Sequence, residues 1–166
     1  MRLMRSVLFA LLGSVILTAC AAPSGPSPAQ QQGPEVASQA APVMTVYRSP
    51  SCGCCSDWVD YVEQHGYHVE VQDVQNPALV KAEHGIPLPL QSCHTAVIDG
   101  YVIEGHVPVD SIERLLAERP AVVGIAVPGM PIGSPGMEVA GTAPEPFEVV
   151  TFDAAGATTV FARYPQ

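Results

Sequence analysis

The chain has 166 residues, 7 of them Lys or Arg and 16 Asp or Glu, for a formal charge of −9. No Lys/Arg cluster occurs anywhere in it, which excludes nucleic acid as a partner, because that binding rests on neutralising phosphates. The length suits one domain of ordinary size with accessory segments.

Residues 1–19 read as a secretory signal peptide and drop out of the fold. Arg2 and Arg5 form its positive start, and residues 7–17 form an apolar stretch too short to span a bilayer as a mature helix. Leu17-Thr18-Ala19-Cys20 then resembles a bacterial lipobox, which implies cleavage before Cys20, acylation of its thiol and stable membrane anchoring. Ala21 follows, not the aspartate associated with inner-membrane retention in enteric bacteria, so the outer membrane stays open as the destination. Without Arg2 and Arg5 the chain has 5 basic against 16 acidic residues, a charge of −11 that favours solubility and attracts cations weakly. Cys20 and the residues up to 42 include five prolines, three consecutive glutamines and almost no bulky apolar side chain, so they form a flexible tether. The domain is expected at residues 43–166.

Its first element is a β-prone run at residues 44–47, ended by Ser49-Pro50-Ser51. From about Gly53 to His65 the apolar Cys55, Trp58, Val59 and Val62 recur at spacings of three and four, which predicts a helix stopped by Gly66. Residues 67–74 form a second strand. Asn76-Pro77 caps a short helix through His84, Gly85 closes it, and a Pro-interrupted loop follows at 86–89. Residues 95–99 and 101–104 flank Asp99-Gly100, a hairpin signal, and Ile112, Leu115 and Leu116 mark a last helix before Pro120. That β-α-β-α-β-β-α order is the thioredoxin-like arrangement, an α/β fold with a mixed sheet and flanking helices. Beyond it, residues 124–141 are rich in Gly and Pro, and residues 147–152 with 158–164 predict a C-terminal β-hairpin around Gly156.

Four cysteines remain after Cys20. An even number in an exported chain ordinarily suggests disulfides, but a 124-residue domain needs no staples, and Cys52, Cys54 and Cys55 crowd into four residues. They follow the first strand at the N-terminus of the first helix, where free N–H groups and a partial positive charge favour thiolate over thiol. Cys52 and Cys55 are close enough either to bridge or to chelate, and Cys54 adds a sulfur that a simple dithiol centre does not need. Thiolates packed so closely repel one another unless a cation lies among them, and soft thiolates select Cu(I), Zn(II) or iron–sulfur clusters.

Ser92-Cys93-His94-Thr95 supplies the second half of the expected site. Thioredoxin-like chains usually place a cis-proline immediately before a residue such as Thr95; here His94 holds that slot and Cys93 precedes it, giving two further ligands. His106 follows the hairpin and can approach the same edge of the sheet as ligand or support. Met130 and Met137 either supply soft thioether contacts or plug the core. His65, His68 and His84 fit the surface, and Trp58 the core or the wall of the site. Two other readings stay open: a thiol–disulfide oxidoreductase using Cys52 and Cys55, and a zinc site, for which the adjacent Cys54-Cys55 pair is poorly spaced.

Cys-Gly-Cys-Cys after a strand, Ser-Cys-His-Thr, Gly-Tyr-Val-Ile-Glu-Gly-His-Val-Pro and Gly-Met-Pro-Ile-Gly-Ser-Pro-Gly-Met-Glu occur in that order. Together they resemble the CopG-like family of bacterial copper-resistance and metal-binding proteins, unrelated to the ribbon-helix-helix repressor of the same name. The similarity covers roughly residues 44–164. It implies a thioredoxin-like fold and copper bound as Cu(I), in a cluster of one or several ions, by Cys52, Cys54, Cys55 and Cys93 with His94 and His106 as neighbours. Storage of copper or a change of its redox state is the implied role, among copper-handling partners of the periplasm.

Overall fold

Alternation of apolar and polar side chains opens the fold. In β1 (Val43–Arg48) Met44 and Val46 are fully buried, while Thr45 and Tyr47 between them are only partly covered. The computed structural model describes residues 42–165; residues 1–41, which hold the expected signal peptide, Cys20 and all but the last residue of the tether, lie outside them. From β1 the chain turns through residues 49–52 into α1 (Gly53–Gln64), whose buried stripe is Cys55, Trp58, Val59 and Val62. It returns as β2 (His68–Asp73), parallel to β1. Next comes α2 (Pro77–Glu83), where Asn76 caps the first turn by accepting the Ala78 N–H at 3.2 Å. A single 3₁₀ turn (Leu88–Leu90) occupies the Pro-interrupted loop.

Strands β3 (Thr95–Ile98) and β4 (Tyr101–Glu104) form the expected hairpin, with Asp99 and Gly100 both at positive φ in the tight turn. Helix α3 (Val109–Glu118) buries Val109, Ile112 and Leu115. Three more strands follow, β5 (Gly124–Ala126), β6 (Phe147–Phe152) and β7 (Thr158–Tyr164). All seven make one sheet in the order β2-β1-β3-β4-β5-β6-β7. β1/β2 and β4/β5 are parallel and the other pairs antiparallel.

The first four strands and three helices make the thioredoxin-like unit that the order of elements predicts. β5 was not expected: it is a three-residue strand inside the Gly/Pro-rich stretch, and through it the C-terminal hairpin continues the sheet. Gly124 is required there, because a Cβ would lie 2.0 Å from the Val102 carbonyl oxygen.

Burial follows the pleat on both faces. One face packs Met44, Val46, Ile103 and Ile125 against Trp58 and Val62 of α1 and Ile112 and Leu115 of α3. The other gathers Ile86, Leu90, Val102, Ala126 and Phe152. Glu104, two residues beyond Val102 and therefore on that second face, meets Lys81 of α2 there.

Candidate metal centre

Three connections meet beside the N-terminus of α1. The first is the turn out of β1, closed by the Cys52 N–H donating to the Ser49 carbonyl at 3.0 Å, which makes Cys52 the N-cap. Its side chain makes no capping hydrogen bond. Cys54 and Cys55 lie in the first helical turn. Cys52 and Cys55, with Cα atoms 5.3 Å apart, form a disulfide, and Cys54 and Cys93 are free. Of the two outcomes the sequence allowed for Cys52 and Cys55, the structure holds the bridged one, because a spacing of three across a helix start brings the Cα atoms within bonding range. The Cys54 sulfur is 3.6 Å from that of Cys52.

The second connection carries Cys93 and His94 into β3. Their sulfur and ring nitrogens converge with the other donors in two overlapping groups: Cys52, Cys54, Cys55 and Cys93, and Cys93, His94 and His106. Within each group the donor atoms lie within 4.8 Å of one another. Among the described residues the 93–94 peptide is not cis, so replacement of the usual proline by His94 leaves an ordinary trans backbone.

His106, just after β4, is fully buried. Its Nδ1 lies 2.8 Å from the Pro135 carbonyl oxygen, which can only accept, so Nδ1 carries the proton and Nε2 is left bare, 2.9 Å from the Cys93 sulfur. His94 Nδ1 lies 3.2 Å from the same sulfur, and its fully buried Nε2 has no partner among the described residues. The His94 ring packs against Trp58 (4.4 Å) and edge-on to His106 (5.0 Å). Trp58 thus fills both roles offered for it, a buried core residue that donates to the Val107 carbonyl at 3.0 Å and a wall of the site.

Electrostatics keep these donors uncharged. Burial, then the neighbouring Cys54, pushes the Cys93 thiol up to about 12, with Lys81 pulling weakly the other way. Burial, then the neighbouring His106 imidazole and the charges of Lys81 and Arg48, holds His94 well below its ordinary value. Burial also lowers His106. At neutral pH Cys93 is therefore a thiol beside two neutral imidazoles, and its proton must leave when a cation enters.

The third connection is the Gly/Pro-rich loop after β5. Beyond supplying the Pro135 carbonyl that accepts from His106, it rests on α1 at Gly136, where a Cβ would come 2.7 Å from the Trp58 backbone nitrogen and 3.0 Å from the Cys54 carbonyl oxygen. Met137 follows, half-buried, while Met130 is 52% exposed. His65 and His68 are exposed, and His84 is partly covered by the Tyr47 ring at 5.9 Å. The chemistry-bearing residues that sequence reasoning missed are Lys81 and Glu104. The signal for Glu104 was a charged residue ending a short strand that is otherwise apolar, Tyr-Val-Ile-Glu, and buried on both faces.

Comparison with known proteins falls in line with this geometry. A family model described as a protein of unknown function, DUF411, matches residues 90–137, the stretch from before Cys93 to Met137. A solved structure described as copper resistance protein copG, form 2, is 43% identical, with a TM-score of 0.72 over 76% of this chain and 100% of that one. The chain belongs to the CopG family. Form 1 of the same protein is 44% identical, with a TM-score of 0.70 over 75% of this chain and 98% of that one. No curated protein matches. In this CopG-family chain the four cysteines and two imidazoles come together at one end of the sheet, and the donor set fits a soft cation.

Proposed function

We propose that the protein binds copper in copper resistance, taking Cu(I) as its cargo on Cys52, Cys54, Cys55 and Cys93, with His106 and His94 at the flank. The observation that carries this reading is the convergence of four sulfurs within 4.8 Å of one another beside two buried, neutral imidazoles. The relatives described as copper resistance proteins supply the choice of metal. Opening the Cys52–Cys55 bridge takes two electrons and two protons and yields two thiols, the number of electrons that two Cu(I) ions release on passing to Cu(II). The same site therefore supports copper redox exchange, and thiolates that bridge ions support a multinuclear cluster. With the Cys93 thiol near 12, copper displaces its proton, so binding releases protons and tightens as pH rises.

The lipobox at Cys20 supports a lipid-anchored place in the cell envelope, facing the periplasm and its copper-handling proteins. Replacing Cys20 by Ser should move the protein from the membrane to the soluble fraction; a protein unmoved by that change is not anchored there.

Anaerobic titration of the reduced protein with Cu(I) against a chromogenic chelator tests the main reading. Tight binding is expected, and its loss in a Cys54→Ser, Cys93→Ser variant. Wild-type protein that leaves all copper with the chelator, or a variant that binds undiminished, overturns it. A second reading, a thiol–disulfide oxidoreductase, is favoured by the bridge at a helix N-terminus. Catalytic reduction of insulin by the metal-free protein would support it, and absence of turnover would reject it.

A further inference from the structure

The most heavily buried charges in the described domain lie directly behind the Cys93 arm. Lys81 of α2 and Glu104 of β4 have side chains 5% and 0% exposed, and Lys81 Nζ donates to Glu104 Oε1 at 2.6 Å. The same Oε1 accepts the backbone N–H of Ser92 at 2.6 Å, and Oε2 accepts the Thr95 hydroxyl at 2.7 Å. Lys81 closes the ring by donating to Thr95 Oγ1 at 3.0 Å. A buried ion pair is weak evidence for stability, since desolvation consumes most of the attraction. What this one does is geometric: its carboxylate grips both ends of Ser92-Cys93-His94-Thr95.

The rest of the arm is held by weaker means. Gly105 N–H donates to the His94 carbonyl at 3.1 Å, and the Ser92 hydroxyl donates to the Gly129 carbonyl. Neither substitutes for Glu104, because among the described residues the Ser92 amide has no other hydrogen-bond partner. Lys81 in turn braces the carboxylate from the α2 side, opposite its bonds to Ser92 and Thr95.

We propose that Glu104, held by Lys81, is the positioning group of the metal site: it fixes the Ser92 amide and so the place of the Cys93 sulfur relative to Cys52, Cys54 and Cys55. This rests on the copper reading above. Neither residue is a ligand, and the effect is carried by the placing of an acceptor oxygen against the Ser92 amide and not by a charge acting on the metal.

Two double variants separate these. Lys81→Gln with Glu104→Gln removes both charges and keeps an acceptor for Ser92, whereas Lys81→Met with Glu104→Leu removes the acceptor and leaves no unpaired charge. Two measurements are made on reduced full-length protein: Cu(I) affinity by chelator competition, and amide hydrogen exchange at residues 92–95, which needs no copper. The Gln pair should match wild type in both. The Met/Leu pair should keep its far-ultraviolet spectrum but lose at least about tenfold in Cu(I) affinity and the protection of the Ser92 amide. Unchanged affinity and protection in a folded Met/Leu protein overturns the proposal, as does a tenfold loss in the Gln pair. Should the Met/Leu protein not fold, Ser92→Pro removes the N–H itself. Gln91, at φ −64° and ψ 135°, already has the backbone that a residue before proline adopts. Ser92→Pro should lose affinity and Ser92→Ala should not; equal affinities overturn the proposal. Wild-type protein that binds no Cu(I) ends the copper reading, while the amide protection still decides whether Glu104 positions the arm.

Discussion

Single side chains set the conditions under which this site survives without metal. His94 is neutral in the fold because burial, followed by the neighbouring His106 imidazole and the charges of Lys81 and Arg48, holds it well below 6.5. An unfolded His takes up a proton near 6.5, so below that pH the unfolded chain binds a proton that the folded one refuses. Stability is therefore complete above about pH 6.5 and falls as pH drops, by up to about 1.4 kcal/mol per pH unit for this residue. His106 adds a contribution of the same sign. Cys93 works from the other side: it stays a thiol up to about 12, while an unfolded thiol ionises from 9.0, so stability falls as pH rises above 9. Melting temperature of the metal-free protein should be highest between about pH 6.5 and 9 and fall on both sides. A His94→Gln protein should show a shallower acid limb, and an acid limb unchanged by that substitution would refute this account. The residues themselves were legible in the sequence. What was not legible is that one carbonyl, Pro135, picks the protonated nitrogen of His106, since that contact spans 29 residues and obeys no local pattern.

At the scale of elements, the thioredoxin-like unit could be read because each piece carries its own signal: the 3–4 spacing in α1, the Asn76 cap of α2, the Asp99-Gly100 turn. β5 carries none. Gly-Ile-Ala is too short for a period to show, and it is a strand only because β4 and β6 flank it. Lys81 escaped notice for a similar reason, as a lysine on a short helix reads as solvent-facing until a carboxylate from β4 appears beneath it. Two glycines give the element-scale prediction. Gly100 and Gly105 both have positive φ, but a Cβ at Gly100 meets nothing within 4 Å, whereas one at Gly105 comes 2.7 Å from Ser92 Cβ and from the Val127 carbonyl oxygen. Gly100→Ala should cost about 1 kcal/mol, from backbone strain alone. Gly105→Ala should cost at least about 2 kcal/mol more, since the contact is with backbone and with the Cys93 arm. Urea denaturation of both would decide; equal losses would mean that the arm yields freely.

For the whole molecule, the C-terminal hairpin belongs to the fold and is not an appendage. Val149 and Phe152 of β6 are fully buried, one on each face of the sheet. Together they contribute about 3–6 kcal/mol, a large share of the roughly 5–15 kcal/mol by which an ordinary domain is stable. A chain ending at residue 146 should therefore lose its cooperative thermal transition, and a truncated protein melting like the full one would show that β1–β5 stand alone. The site is equally a product of the whole, with one asymmetry. Cys52, Cys54 and Cys55 are neighbours in any state of the chain, folded or not, whereas Cys93, His94 and His106 join them only across the assembled sheet. A nascent chain emerging unfolded in its reduced form already offers three of the four sulfurs. Copper captured then would stabilise the native structure only by the part of its binding that Cys93 and the imidazoles add. Acquiring the ion and completing the fold can thus proceed in either order, and a cell supplying copper early would give the chain a partly dressed seed to close around.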